Sequence, residues 1–104
     1  MKPAVDVVYR DLDSSSALNE IILKKLEKLS RYTDQITHSR VVLDTPHQHK
    51  HKGKHFRASI ELDFKGHPLA ITHDDESIHI AVRDAFSSAE RKVKQLVARQ
   101  RSGR

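Results

Sequence analysis

The chain has 104 residues, of which 37% are hydrophobic, and a formal charge of +5. That is enough for one small core, and it hints at a polyanionic partner. No apolar run approaches the ~18 residues of a membrane span, the start MKPAVDVVYRDLD lacks the apolar stretch of a secretory signal, and cysteine is absent. Disulfide scaffolds, thiolate metal sites and thiol nucleophiles are thereby excluded, and a soluble cytoplasmic domain is expected.

Residues 4–10, AVDVVYR, are short and β-branched, and predict a strand. DLDSSS follows as a turn and helix-capping cluster. From Ala17 the apolar period becomes helical: Leu18, Ile21, Ile22, Leu26, Leu29 and Tyr32 place a helix over about 16–32. In 37–45, Ser39, Val41 and Leu43 share one face of a second strand. A His/Lys-rich loop opens at Pro46. Phe56, Ala58, Ile60, Leu62 and Phe64 then alternate with Arg57, Ser59, Glu61 and Asp63, the pattern of a strand with one wet face. Lys65-Gly66-His67-Pro68 reads as a hairpin connection, and Leu69 and Ile71 begin a short fourth strand.

HDDES, 73–77, reads as a second capping cluster. His73, Asp74, Asp75 and Glu76 are there to complement the helix dipole rather than to do acid–base or metal chemistry. Beyond it Ile78, Val82, Ala85, Phe86, Ala89, Val93, Leu96 and Val97 trace one helical face for about five turns. RQRSGR is polar and expected to fray. The expectation is one domain over 1–98 with a polar tail at 99–104. Its fold class is α+β in the order β-α-β-β-β-α, with two helices on one face of a four-stranded sheet.

The positive charge is unevenly placed. Residues 46–57 carry +4, residues 58–77 carry −4, residues 78–104 carry +5, and the first 45 residues balance. At ~100° per residue, Arg91 points away from the core of the second helix. Arg83, Lys94 and Arg101 share one flank of it, and Lys92 and Arg99 the other. On the first helix Lys24, Lys28 and Arg31 share a flank, while Lys25 falls near the apolar stripe. Packed side by side, the two helices would offer a basic strip ~25–30 Å long, suited to a tract of phosphates. Solubilising charge is the plain alternative, and it fits the first helix better than the second.

His47, His49, His51 and His55 alternate with Lys50, Lys52 and Lys54 in the loop. Alternating imidazoles can chelate a metal, but the lysines disfavour a cation and no carboxylate joins them. The loop reads as one that contacts phosphates and bases. No glycine-rich phosphate loop and no nucleophile–base arrangement is present. An enzyme is not expected, and neither is a cofactor, a resident metal or a small-molecule substrate.

Three segments in order resemble one family. ALNEIILKKLEKLSRYTDQI carries Ala17, Leu18, Glu20, Lys25, Lys28, Leu29 and Tyr32. RVVLDTPHQHKHKGKHFRASIELDF has the His/Lys loop of one branch, and IAVRDAFSSAERKVKQL carries Ala81, Val82, Ala85, Phe86, Arg91 and Val93. The chain is similar to ribosome hibernation promoting factors, also called ribosome-associated inhibitors, ribosomal subunit interface proteins or sigma-54 modulation proteins.

The resemblance implies a fold like that of double-stranded-RNA-binding domains. It also implies binding to 16S rRNA of the small ribosomal subunit near the decoding centre. There the protein would occlude mRNA and tRNA sites and inhibit translation in stationary phase or stress, with 70S ribosomes pairing into 100S particles in some members. The RNA-facing residues it implies are Lys25, Lys28 and Arg91. The charge map adds Arg31, Lys50, Lys52, Lys54, Arg83, Lys92 and Lys94.

Ser77, His79 and Ser88 stand where the family often has Asp, an aromatic and Lys, so Ser88 removes one expected phosphate contact. A short form without a dimerisation module, monomeric when free, is expected. A general double-stranded-RNA module and a regulator binding an acidic protein surface are the rival readings.

Overall fold

Six elements follow in the order β1 (Ala4–Tyr9), α1 (Ser16–Ser30), β2 (Ile36–Asp44), β3 (Phe56–Phe64), β4 (His67–Asp75) and α2 (Ile78–Gly103). They come from a computed structural model that describes the backbone of residues 4–46 and 55–103. The four strands form one sheet in the order β1-β2-β3-β4. β1 runs parallel to β2, and the other two pairs are antiparallel. This is the α+β fold that the alternation of periods predicts.

The strand register sorts the side chains. Val7, Val41, Ile60 and Ile71 lie in one cross-strand row, with Tyr9, Leu43, Ala58 and His73 in the next inward-facing row. Both rows face the helices. α1 contributes Leu18, Ile22, Leu26 and Leu29 to the core, and α2 contributes Val82, Phe86 and Val93. Ala81, Ala85 and Ala89, four residues apart and fully buried, give α2 a thin stripe on which it can lie close to the sheet. The opposite sheet face is wet. It carries Asp6, His38, Arg40, Asp44, Arg57, Glu61, Asp63 and Asp74, five carboxylates against two guanidiniums. Arg57 clasps Asp74 across the β3–β4 pair at 2.8 and 3.0 Å.

Local chemistry explains the ends of the elements. Ser15 caps α1, its Oγ accepting from the Leu18 N–H at 3.1 Å. The Tyr9 hydroxyl donates to Asn19 Oδ1 at 2.7 Å and ties β1 to the start of α1. The β3–β4 hairpin turns on two residues, Lys65 at φ 55° and Gly66 at φ 82°, the left-handed pair of a type I′ turn.

Three expectations change. β4 is nine residues long, because the pairing with β3 runs on through Ala58–His73, Arg57–Asp74 and Phe56–Asp75. His73 and Asp74 are therefore strand residues, and only the end of HDDES caps. Asp75 accepts from the Ser77 N–H at 2.8 Å, and Ser77 Oγ accepts from the Ile80 N–H at 3.3 Å. The first helix stops at Ser30 rather than 32. Its successor does not end at 98 but continues to Gly103. Ala98, Arg99, Gln100 and Arg101 are adequate helix formers, and Gln100 donates to Gln35 Oε1 at 2.9 Å. Among the described residues no helix is long and apolar enough to cross a membrane.

Candidate nucleic-acid interface

The exposed side of the two helices is where the structure gathers the cations. α1 and α2 lie side by side on the sheet, and between them runs a polar cleft of about 120 Å³. It is lined by Lys25, Lys28, Leu29, Phe86, Ser87 and Glu90. Lys25 is half-buried and Lys28 exposed.

Glu90 organises this cleft. Tyr32, just past the end of α1, donates its hydroxyl proton to Glu90 Oε2. Lys94, one turn along α2, approaches the same oxygen at 3.3 Å, and Lys28 approaches it from α1 at 3.9 Å. The Lys94 ammonium also lies 4.8 Å from the centre of the Tyr32 ring, a cation–π contact. The Tyr32 hydroxyl, helped by Lys94 and Lys28, holds the Glu90 carboxyl below its ordinary range. Glu90 in turn raises the Lys94 ammonium, helped by Tyr32. Both groups are charged at neutral pH.

The remaining candidates arrange themselves around this centre. Arg83, two turns before Glu90 on the same flank, is paired with its neighbour Asp84, both Nε and Nη2 lying 3.2 Å from Asp84 Oδ1. Arg91 stands on the outward face, and its Nη2 donates to Ser88 Oγ at 3.3 Å. Ser88 is also 2.8 Å from His73 Nε2, so the residue that interrupts the basic pattern steadies Arg91 instead. Arg31 follows α1 directly and is exposed. Lys92 is exposed too, but it lies on the flank of α2 turned away from α1 and is not brought to the cleft. Lys50, Lys52 and Lys54, with His47, His49 and His51, lie outside the described residues.

The helical period places Tyr32 on the apolar face of the first helix, and the charge map does not single out Glu90. The Glu90–Lys94 spacing of four residues was the available signal. The Tyr32–Glu90 contact spans 58 residues and had none. A larger, apolar groove of about 390 Å³ lies on the other side of α1, between it and the β1–β2 edge, with Val5, Leu23, Leu26 and Ile36 in its walls. Of the cations on the basic flank of α1, Lys24 lines this groove, beside Glu27, rather than the polar cleft. Among the described residues no cluster of His, Asp or Glu is placed to hold a metal ion.

A two-layer α+β domain with a cationic helix face is the class this fold and site define. Residues 5–101 match the family described as Sigma 54 modulation protein / S30EA ribosomal protein, and the chain belongs to that family. It is 27% identical over 90 residues to the ribosome hibernation promotion factor of Deinococcus radiodurans, covering 86% of this chain and 47% of that one. It therefore spans about half the length of that curated relative. The N-terminal domain of Thermus thermophilus Protein Y has the same fold, with a TM-score of 0.76 and 25% identity over 91% of this chain and 99% of that one. A ribosomal subunit interface protein from Coxiella burnetii gives a TM-score of 0.78 at 15% identity, over 91% of this chain and 98% of that one, and shows likeness of fold alone.

Proposed function

We propose that this chain is a ribosome-binding hibernation factor of the cytoplasm. It seats its helix face on 16S rRNA of the small subunit near the decoding centre and inhibits translation by occupying the path of mRNA and tRNA. It acts sterically rather than as an enzyme, and pairing of 70S ribosomes into 100S particles follows from the same docking. The observation that carries this reading is the convergence of Lys25, Lys28 and Lys94, from two helices, around a single cleft. Arg31 and Arg91 extend the field outward. From Arg83 to Arg99 the cations of α2 run ~24 Å along that helix, which suits a track of phosphates rather than one small anion. Family membership and the likeness to a hibernation promotion factor support the ribosome as the source of that track.

The test is sedimentation with purified small subunits. Arg31→Glu combined with Arg91→Glu reverses charge on the outward faces without touching the Glu90 cluster. The wild type is expected to co-sediment, and the double variant, with an unchanged circular dichroism spectrum, to stay in the supernatant. Co-sedimentation of the variant at the wild-type level would show that the helix face is not the interface. Failure of the wild type to co-sediment would remove the ribosome reading altogether.

A further inference from the structure

The acid at the centre of the cationic cleft is held in an asymmetric way. Tyr32, Lys94 and Lys28 all make their closest approach to Glu90 Oε2. The other oxygen, Oε1, accepts no hydrogen bond among the described residues. The side chain is 25% exposed, and it shares the cleft wall with Lys25, Lys28 and Ser87. One oxygen is held by the Tyr32 hydroxyl and two ammonium groups, and the other accepts from none of them.

Holding Lys28 and Lys94 in place occupies Oε2 alone; a surface built for phosphates alone has no use for a second acceptor at the cleft. An ionised carboxylate has acceptors and no donor, and it repels a phosphate at close range. Its presence makes sense for a ligand that brings a hydrogen-bond donor between its phosphates. RNA has one in every nucleotide, the ribose 2′-hydroxyl, displayed on the wide minor-groove side of its helices, whereas DNA and inorganic polyanions lack it. The rigid anchoring suits discrimination, since the acceptor is fixed before the ligand arrives.

We propose that Glu90 is the specificity residue of the helix face. Its Oε1 accepts the 2′-hydroxyl of a ribose whose neighbouring phosphates rest on Lys25, Lys28 and Lys94. This assignment rests on the helix face being the rRNA interface, and it adds how that face tells RNA from another polyanion.

The experiment measures the affinity of wild type, Glu90→Ala and Glu90→Gln for two ligands, purified small subunits and long-chain inorganic polyphosphate. Loss of a repulsive charge should tighten polyphosphate binding about threefold. Loss of a charge-assisted acceptor should weaken small-subunit binding about tenfold. Glu90→Gln guards against collapse of the cleft: its carbonyl can still accept from Tyr32, while the negative charge that repels polyphosphate and strengthens the bond from the ribose hydroxyl is lost. Opposite signs for the two ligands support the assignment. Movement of the two ligands together in both variants, or no movement, overturns it while leaving the ribosome reading intact. Absence of small-subunit binding by the wild type overturns the ribosome reading instead.

A second arm separates the ribose from a base amine. An RNA hairpin should displace the wild type from polyphosphate at about a tenth of the concentration needed by its 2′-O-methyl counterpart. Equal behaviour of the two hairpins overturns the 2′-hydroxyl assignment.

Discussion

Tyr32 and Glu90 join the two helices through a hydrogen bond between side chains 58 residues apart in the chain. A hydroxyl just past the end of α1 thus determines where a carboxylate of α2 points, and with it where Lys94 and Lys28 rest.

Removing that hydroxyl should be felt in stability. Tyr32→Phe keeps the ring under Lys94 and takes away only the donor. The partly exposed setting places the expected loss at about 1 kcal/mol. In urea denaturation the midpoint should fall with the slope unchanged. An unchanged midpoint would mean that the bond is not maintained in solution.

The same cluster predicts a pH dependence. The Glu90 carboxyl is lowered below the ordinary value of 4.5, first by Tyr32 and then by Lys94 and Lys28. A depressed folded-state value means that the unfolded chain binds the proton more readily. The stabilisation is complete above the unfolded-state value and is lost as pH falls below about 4.5 towards the folded-state value. Glu90→Gln should remove this part of the acid sensitivity. Thermal midpoints at pH 7 and pH 3.5 should therefore differ less in the variant than in the wild type.

Salt should govern the proposed ribosome binding. With about six phosphate contacts, affinity should fall by roughly 10³ between 50 and 200 mM monovalent salt. Lys25→Gln with Lys28→Gln should lower the slope of log affinity against log salt by about 1.5–2. A slope unchanged by the pair would place these lysines off the RNA. Sedimentation titrations over four salt concentrations suffice.

The hairpin, none of whose residues lines the cleft, offers a control. Gly66 has φ 82° and open space where a Cβ would stand, so Gly66→Ala suffers only the left-handed backbone penalty of about 1–2 kcal/mol. Lys65, at φ 55°, is less suited to the first position of a type I′ turn than asparagine. Lys65→Asn should be stabilising. Denaturant midpoints should move in opposite directions in the two variants, while small-subunit binding stays at the wild-type level.

The fold was legible wherever one periodicity dominated. The Phe56–Phe64 alternation gives β3 to the residue, and the apolar line from Ile78 to Val97 gives the buried face of α2. Legibility failed where cross-strand pairing overrode local composition. His73-Asp74-Asp75 reads as a cap, yet Arg57 draws Asp74 into the sheet across 17 residues. The end of α2 was misjudged for a similar reason, since the Gln35–Gln100 bond spans 65 residues. The interface follows the same division. The resemblance implies Lys25, Lys28 and Arg91 and the charge map adds Lys94, but neither says which of them meet. Only the packing of α1 against α2 shows that Lys25, Lys28 and Lys94 converge while Lys92 faces elsewhere.

The sorting of charge between the two layers gives the molecule a compass. Carboxylates crowd the open sheet face, lysines and arginines the helices, and the ~10–12 Å width of a helix separates the two. Near a polyanion such a particle feels a torque before it feels a contact. Within the ~8 Å over which fields survive physiological salt, it turns helices first, and encounters that begin on the wrong side are pushed off. A variant that neutralised Glu61 and Asp63, neither of which lies near the cleft, would leave the docked contacts untouched. It would slow the approach, so the loss would fall in the association rate and the residence time would stay the same.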